Sequence, residues 1–216
     1  MRKYFFFDID GTLTTPLTAE YPDSTREAIR KLQERGHFVS LATGRIQADA
    51  AKVAEELEIR ALVSDGGNAM TLDGEILYHE GLPLALCHSL LEDIDEERHP
   101  WAVATKNRKY RIARTERYLH RVEDRYYETD IIPGYDGRKA ETIYKIFIAC
   151  REEEKNEIPL HGLPYVWFRK DTMLIEPVHK ERGIFELMKK YNLTDEQIVV
   201  FGDGTNDCSM FRREWM

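Results

Sequence analysis

Four short apolar runs, each halted abruptly by small or polar residues, constrain this chain most. They are Tyr4–Phe7 before Asp8-Ile9-Asp10-Gly11-Thr12, Phe38–Ala42 before Thr43-Gly44-Arg45, Ala61–Val63 before Ser64-Asp65-Gly66-Gly67, and Ile198–Phe201 before Gly202-Asp203-Gly204. Runs this uniformly apolar suit strands buried on both faces, as in a parallel sheet, whose carboxyl ends carry the binding loops. Helical patterns separate them. From Asp23 to Arg35, Ala28, Ile29 and Leu32 share a face, with Asp23 or Ser24 able to cap the start and Gly36 the end. Ala50, Val53, Ala54 and Leu57 form a second face, and Ile184, Leu187 and Met188 a third. Thr194-x-x-Gln197 has the form of a capping box. Strand alternating with helix predicts an α/β fold, a doubly wound parallel-sheet core of Rossmann-like type.

Between about Gly81 and Val178 that rhythm breaks. Leu72-Asp73-Gly74-Glu75 predicts a hairpin, and a helix is expected near Leu84–Glu97. Then come β-rich stretches at Trp101–Thr105, Tyr110–Ala113, Thr142–Ala149, Tyr165–Arg169 and Met173–Glu176. The expected organisation is a core formed by 1–80 and 179–216, with an inserted α+β domain at 81–178.

The 216 residues, 42% of them hydrophobic, suffice for a sizeable core, and the net charge of -8 argues against non-specific attraction to DNA or an anionic membrane. Cys87, Cys150 and Cys208 form no Cys-x-x-Cys pair and leave one over, so buried thiols in a reduced compartment are expected rather than a disulfide or zinc framework. Asp8 and Asp10 interrupt the apolar start too early for a signal peptide, and no run approaches the length needed to cross a bilayer. A cytoplasmic location follows as the expectation.

Asp8 and Asp10 stand two apart at a strand end, so in extended geometry their carboxylates point the same way. Gly11 frees the backbone to turn there, and Thr12 adds a hydroxyl. Asp203 and Asp207 form a second pair, spaced to wrap oxygen ligands around a hard cation such as Mg2+. If the two strands are neighbours, four carboxylates converge at one rim and demand a divalent metal. The Thr43 hydroxyl and backbone amides of Gly44 and Arg45 before a helix could hold phosphate oxygens, and Lys180 supplies a positive charge. These parts fit phosphoryl transfer.

At Asp8-Ile9-Asp10-Gly11-Thr12-Leu13, Thr43-Gly44-Arg45, Lys180 and Gly202-Asp203-Gly204-Thr205-Asn206-Asp207 the chain resembles the haloacid dehalogenase superfamily of phosphatases. The position of the inserted module resembles the Cof-type branch, whose α/β cap domain closes over the active site. The resemblance implies Asp8 as the nucleophile forming an aspartyl phosphate and Asp10 as general acid, then base. It implies that Thr43 holds the transferring phosphoryl group, that Lys180 neutralises it and orients Asp8, and that Asn206 assists at the same rim. Magnesium would be bound by Asp8, the backbone carbonyl of Asp10 and Asp203, supported by Asp207. Similar proteins commonly have Asn-Gly where this chain has Asp65-Gly66-Gly67, a departure expected to adjust a turn. They also continue past the last motif with a strand, a Gly-Asn turn and a helix, about 40 residues expected to be missing here.

The implied substrate is a small phosphorylated metabolite, a sugar phosphate or phosphorylated cofactor, and the oligomeric state stays open between monomer and dimer. A phosphomutase of the same superfamily and a non-catalytic metal- or phosphate-binding protein are alternatives. A nucleic-acid-binding module is another, because eight basic residues lie among Tyr110, Tyr118 and His120 between Lys106 and Arg125. Against it stands the solvated surface of a cap domain, or contact with an anionic substrate.

Overall fold

A computed structural model describes residues 1–15, 20–212 and 215. The chain runs through β1 (Tyr4–Phe7), α1 (Asp23–Glu34), β2 (Phe38–Ala42), α2 (Gln47–Glu56), β3 (Ala61–Ser64), β4 (Ala69–Leu72) and β5 (Glu75–His79). Next come α3 (Leu84–Asp93), β6 (Trp101–Ala104), β7 (Tyr110–Ala113), α4 (Arg117–Arg121), β8 (Glu128–Ile131), β9 (Lys145–Ala149), β10 (Tyr165–Arg169) and β11 (Thr172–Ile175). It returns with α5 (Glu181–Tyr191) and β12 (Ile198–Phe201). Two compact units result, Met1–His79 with Val178–Met216, and Glu80–Pro177.

The first unit is built on a six-stranded sheet in the order β12-β1-β2-β3-β4-β5, parallel through β3 and antiparallel beyond it. Strand periodicity sends alternate side chains to opposite faces. Tyr4, Phe6, Phe38, Ala61 and Val63 thus join Ile184 and Leu187 of α5 on one face. Phe7, Val39, Leu41 and Leu62 meet Ile29 of α1 and Ala50, Val53 and Ala54 of α2 on the other. Helices cover both faces, the doubly wound α/β arrangement expected. Burial of one such large apolar side chain contributes about 1.5–3 kcal/mol. On the α5 side the approach is close, because a Cβ on Gly183 would lie 2.1 Å from Val63 Cγ2.

The helix ends depart from the sequence expectation at one place and follow it at two. Pro22 occupies the N-cap of α1, and neither Asp23 nor Ser24 caps it, since a proline-fixed φ sets the entry. At the other end Gly36 takes a left-handed φ of +79°, and Gly36 N and His37 N donate to Gln33 O and Leu32 O. Thr194 N donates to Gln197 Oε1 at 3.0 Å, so the capping box forms around a single 3-10 turn.

The second unit holds a sheet in the order β10-β11-β9-β6-β7-β8, antiparallel except between β7 and β8. Helix α3 ends at Asp93 rather than Glu97, and β9 begins at Lys145 rather than Thr142. The basic stretch is largely spent inside this unit. Arg111 is fully buried, pairs with Asp124 at 3.0 Å and stacks on Tyr118 and Phe147. Arg114 and Arg121 pair with Glu96 and Glu154. Cys87 and Cys150 are buried as expected, whereas Cys208 is exposed, because it lies on the short turn after β12.

Among the described residues no helix is long and apolar enough to cross a membrane.

Candidate active site

The site is assembled at the carboxyl ends of β1, β2 and β12. Asp8 N donates to Phe201 O at 2.9 Å, prolonging the β1–β12 ladder by one residue and fixing the Asp8 backbone beside the loop after β12. The chain then turns, with Leu13 N and Thr14 N both donating to Ile9 O. Gly11 adopts φ +94°, a conformation that favours glycine, and a Cβ there would lie 2.1 Å from Asp203 Oδ2 and displace that carboxylate.

Lys180, at the start of α5 and wholly buried, donates to Asp8 Oδ1 at 2.7 Å and to Asp207 Oδ1 at 2.5 Å. The second oxygen of Asp207 accepts from Asp203 N at 3.0 Å and Gly204 N at 2.9 Å, which folds the loop after β12 around that carboxylate. Thr12 Oγ1 donates to Asp203 Oδ1 at 3.2 Å. Oxygens from Asp8, Asp203 and Asp207 all lie within 4.8 Å of one another, the one such cluster of acidic, histidine or cysteine groups among the described residues.

The fourth carboxylate does not join them. The turn at Ile9–Gly11 ends the extended geometry that would have aligned Asp10 with Asp8, and Asp10 faces Arg45 instead. Arg45 Nε and Nη2 donate to Asp10 Oδ2 and Oδ1 at 2.9 and 2.6 Å, a bidentate pair, while Arg45 also lies 3.6 Å from Asp49 one helical turn on. Arg45, expected to face phosphate, is thus engaged with the expected acid. Thr43 is buried at the end of β2, and its Oγ1 accepts from Arg45 N at 3.1 Å. Asn206, half-buried, packs against Gly204, where a Cβ would lie 2.5 Å from Asn206 Oδ1.

Burial raises the Asp8 carboxyl from an ordinary 3.8 to about 6, with Lys180 opposing and Asp207 reinforcing the shift. For Lys180, burial alone would depress the ammonium, but Asp8 and Asp207 together outweigh it and raise its pKa.

The sequence reading missed Asp65. Its backbone N donates to Arg45 O at 2.9 Å, its Oδ2 accepts from Gln47 N at 2.8 Å, and His79 Nε2 lies 3.1 Å from the same oxygen. The departure at Asp65-Gly66-Gly67 does shape a turn, with all three residues at positive φ, and it also ties that turn to the start of α2.

A family model for haloacid dehalogenase-like hydrolases matches residues 5–214. The chain belongs to the haloacid dehalogenase-like hydrolases. It is therefore an enzyme, and the resemblance to the phosphatases of that superfamily stated on its sequence holds. The candidate phosphatase YkrA of Bacillus subtilis is 30% identical over 96% of this chain and 82% of its own length. The 5-amino-6-(5-phospho-D-ribitylamino)uracil phosphatase YbjI of Escherichia coli is 21% identical over 98% and 82%. Among solved structures, the subclass IIB sugar phosphatase BT4131 of the same superfamily superposes with a TM-score of 0.76, covering 99% of this chain and 85% of that one at 22% identity. That likeness shows the shared α/β fold.

Proposed function

We propose that this hydrolase is a magnesium-dependent phosphatase that cleaves small phosphate monoesters, sugar phosphates or phosphorylated cofactors, through an aspartyl phosphate on Asp8. The observation that carries the reading is the Asp8, Asp203 and Asp207 cluster with Lys180 buried beside it. Three carboxylates against one ammonium leave a net charge of -2, which suits one divalent cation, and an all-oxygen donor set suits Mg2+. Asp8, the backbone carbonyl of Asp10 and Asp203 would hold the ion, with Asp207 supporting. When bound, Mg2+ supplies charge neutralisation for the phosphoryl oxygens.

The remaining steps belong to the chain's own groups. An Asp8 oxygen attacks phosphorus, the bond to the ester oxygen breaks, and the departing alkoxide takes a proton that Asp10 carries on an oxygen released from its bidentate pair with Arg45. Asp10 then draws a proton from water, whose oxygen attacks the same phosphorus and releases Asp8 and inorganic phosphate. Lys180 orients Asp8 and offsets its charge. The Thr43 hydroxyl and the Gly44 and Arg45 amides, with Thr12 and Asn206, receive phosphate oxygens. In this reading residues 1–80 and 179–216 are the catalytic domain and 81–178 the cap domain that selects the substrate. The names of YbjI and BT4131 support the metabolite class, and the free cysteines support a reduced, cytoplasmic setting.

A Mg2+ titration of p-nitrophenyl phosphate hydrolysis tests the reading, followed by a screen of phosphorylated metabolites. Phosphate release that requires Mg2+ and stops with a chelator is expected, and inactivity of the folded protein at saturating Mg2+ would count against it.

A further inference from the structure

We propose that Asp65 is a positioning residue that sets the Asp10–Arg45 pair and thereby controls protonation of the leaving group, an inference that rests on the phosphatase reading above. Arg45 grips Asp10 with two hydrogen bonds, so the placement of Asp10 depends on where the Arg45 backbone sits. Asp65 clamps that backbone from both sides. Its N–H donates to the Arg45 carbonyl at 2.9 Å, and its carboxylate accepts the Gln47 N–H, the first of α2, at 2.8 Å. The next residue continues the brace, since Gly66 N donates to Thr43 O at 3.1 Å and Gly66 O accepts from His179 N at 2.7 Å. One tripeptide thus spans from the Thr43–Gln47 segment to the residue before Lys180.

The arrangement is held against local preference. Asp65 keeps φ at +47°, a conformation costing non-glycine residues roughly 1–2 kcal/mol. A Cβ on Gly67, at φ +106°, would lie 2.0 Å from His179 O. Asp65 is 1% exposed, and His79 Nε2 lies 3.1 Å from its Oδ2. A buried carboxylate in a strained conformation, spending its reach on the amide next to Arg45, is built to hold a position.

The test is kcat/KM across substituted phenyl phosphates, from p-nitrophenyl, whose phenolate departs with little need of a proton, to unsubstituted phenyl. Asp65→Ala removes the clamp, whereas Asp65→Asn keeps an acceptor oxygen and tolerates positive φ. Gln47→Pro deletes the clamped N–H at the first helical position, where proline fits, after an Ile46 already at ψ 145°. Its control is Gln47→Ala, which loses the side-chain bond to Thr71 Oγ1 but keeps that N–H, and which is expected to match the parent. Relative to the parent, Asp65→Ala and Gln47→Pro are expected to fall by at least about tenfold on phenyl phosphate but less than about threefold on p-nitrophenyl phosphate. Asp65→Asn is expected to match the parent along the whole series. Equal losses on every substrate, or none, in a folded Asp65→Ala or Gln47→Pro would overturn the inference while leaving the phosphatase reading intact. A parent inactive on the entire series with Mg2+ would overturn both. Should Asp65→Ala fail to fold, Gln47→Pro decides alone.

Discussion

The Lys180 ammonium lies 2.7 Å from Asp8 Oδ1, and both residues are buried. Its other bond, to Asp207, places the Lys180 ammonium between two buried carboxylates. Breaking a buried pair from one side costs far more than the pair itself contributes, because the remaining charge has nowhere to go. Lys180→Met should therefore lower stability by about 3–5 kcal/mol without metal. Thermal melts in chelator should show a midpoint drop of roughly 10 °C. A melt unchanged within a degree or so would contradict the geometry.

The Asp8 carboxyl sets a stability slope with a definite sign. Its folded pKa near 6 exceeds the ordinary 3.8, so between those values the folded chain keeps a proton that the unfolded chain has lost. The contribution is fully present below pH 3.8 and is lost as pH rises through 6. At 1.36 kcal/mol per unit, the loss by pH 7.5 amounts to at most ~3 kcal/mol. Asp8→Asn removes this penalty without stranding a charge, because Lys180 stays paired with Asp207 Oδ1. Denaturant titrations in chelator should find the variant more stable than the parent at pH 7.5 and the two closer at pH 5, while the variant has no phosphatase turnover.

Two glycines at positive φ separate a functional constraint from a local one. Gly11→Ala places a methyl into Asp203 and should reduce kcat/KM on p-nitrophenyl phosphate by about 100-fold. Gly36→Ala meets nothing within 4 Å and should cost only backbone strain, roughly 1–2 kcal/mol, with turnover unchanged. Equal turnover in the two variants would argue against contact between the Gly11 and Asp203 loops.

Asp203 is exposed and can be altered without opening the core. Asp203→Ala should raise the Mg2+ concentration for half-maximal turnover by at least about tenfold and leave the melting temperature in chelator nearly unchanged. Calorimetric titration with Mg2+ alone should show the same weakening.

Much of this fold was legible because buried parallel strands leave a plain trace. β1, β2, β3 and β12 each appear as an apolar run that stops at the loop side of the sheet. β8 left no such trace, since Glu128-Thr129-Asp130-Ile131 is a half-exposed edge strand whose polar residues imitate a loop. The gathering of Asp8, Asp203 and Asp207 could be anticipated because all three follow the ends of the adjacent strands β1 and β12. The diversion of Asp10 to Arg45 could not, because it depends on a turn that breaks the two-residue alternation. Nor could the Asp65 clamp. Its partner Gln47 lies 18 positions away, and a carboxylate serving a distant helix start has no local signature.

In the proposed mechanism Asp8 carries the phosphoryl group, and mass spectrometry of protein quenched in acid during turnover of p-nitrophenyl phosphate reads that step itself. A Mg2+-dependent phosphoryl group is expected on the peptide containing Asp8 and is expected to be abolished in Asp8→Asn. Steady turnover with that peptide unmodified, or turnover retained by Asp8→Asn, would contradict it.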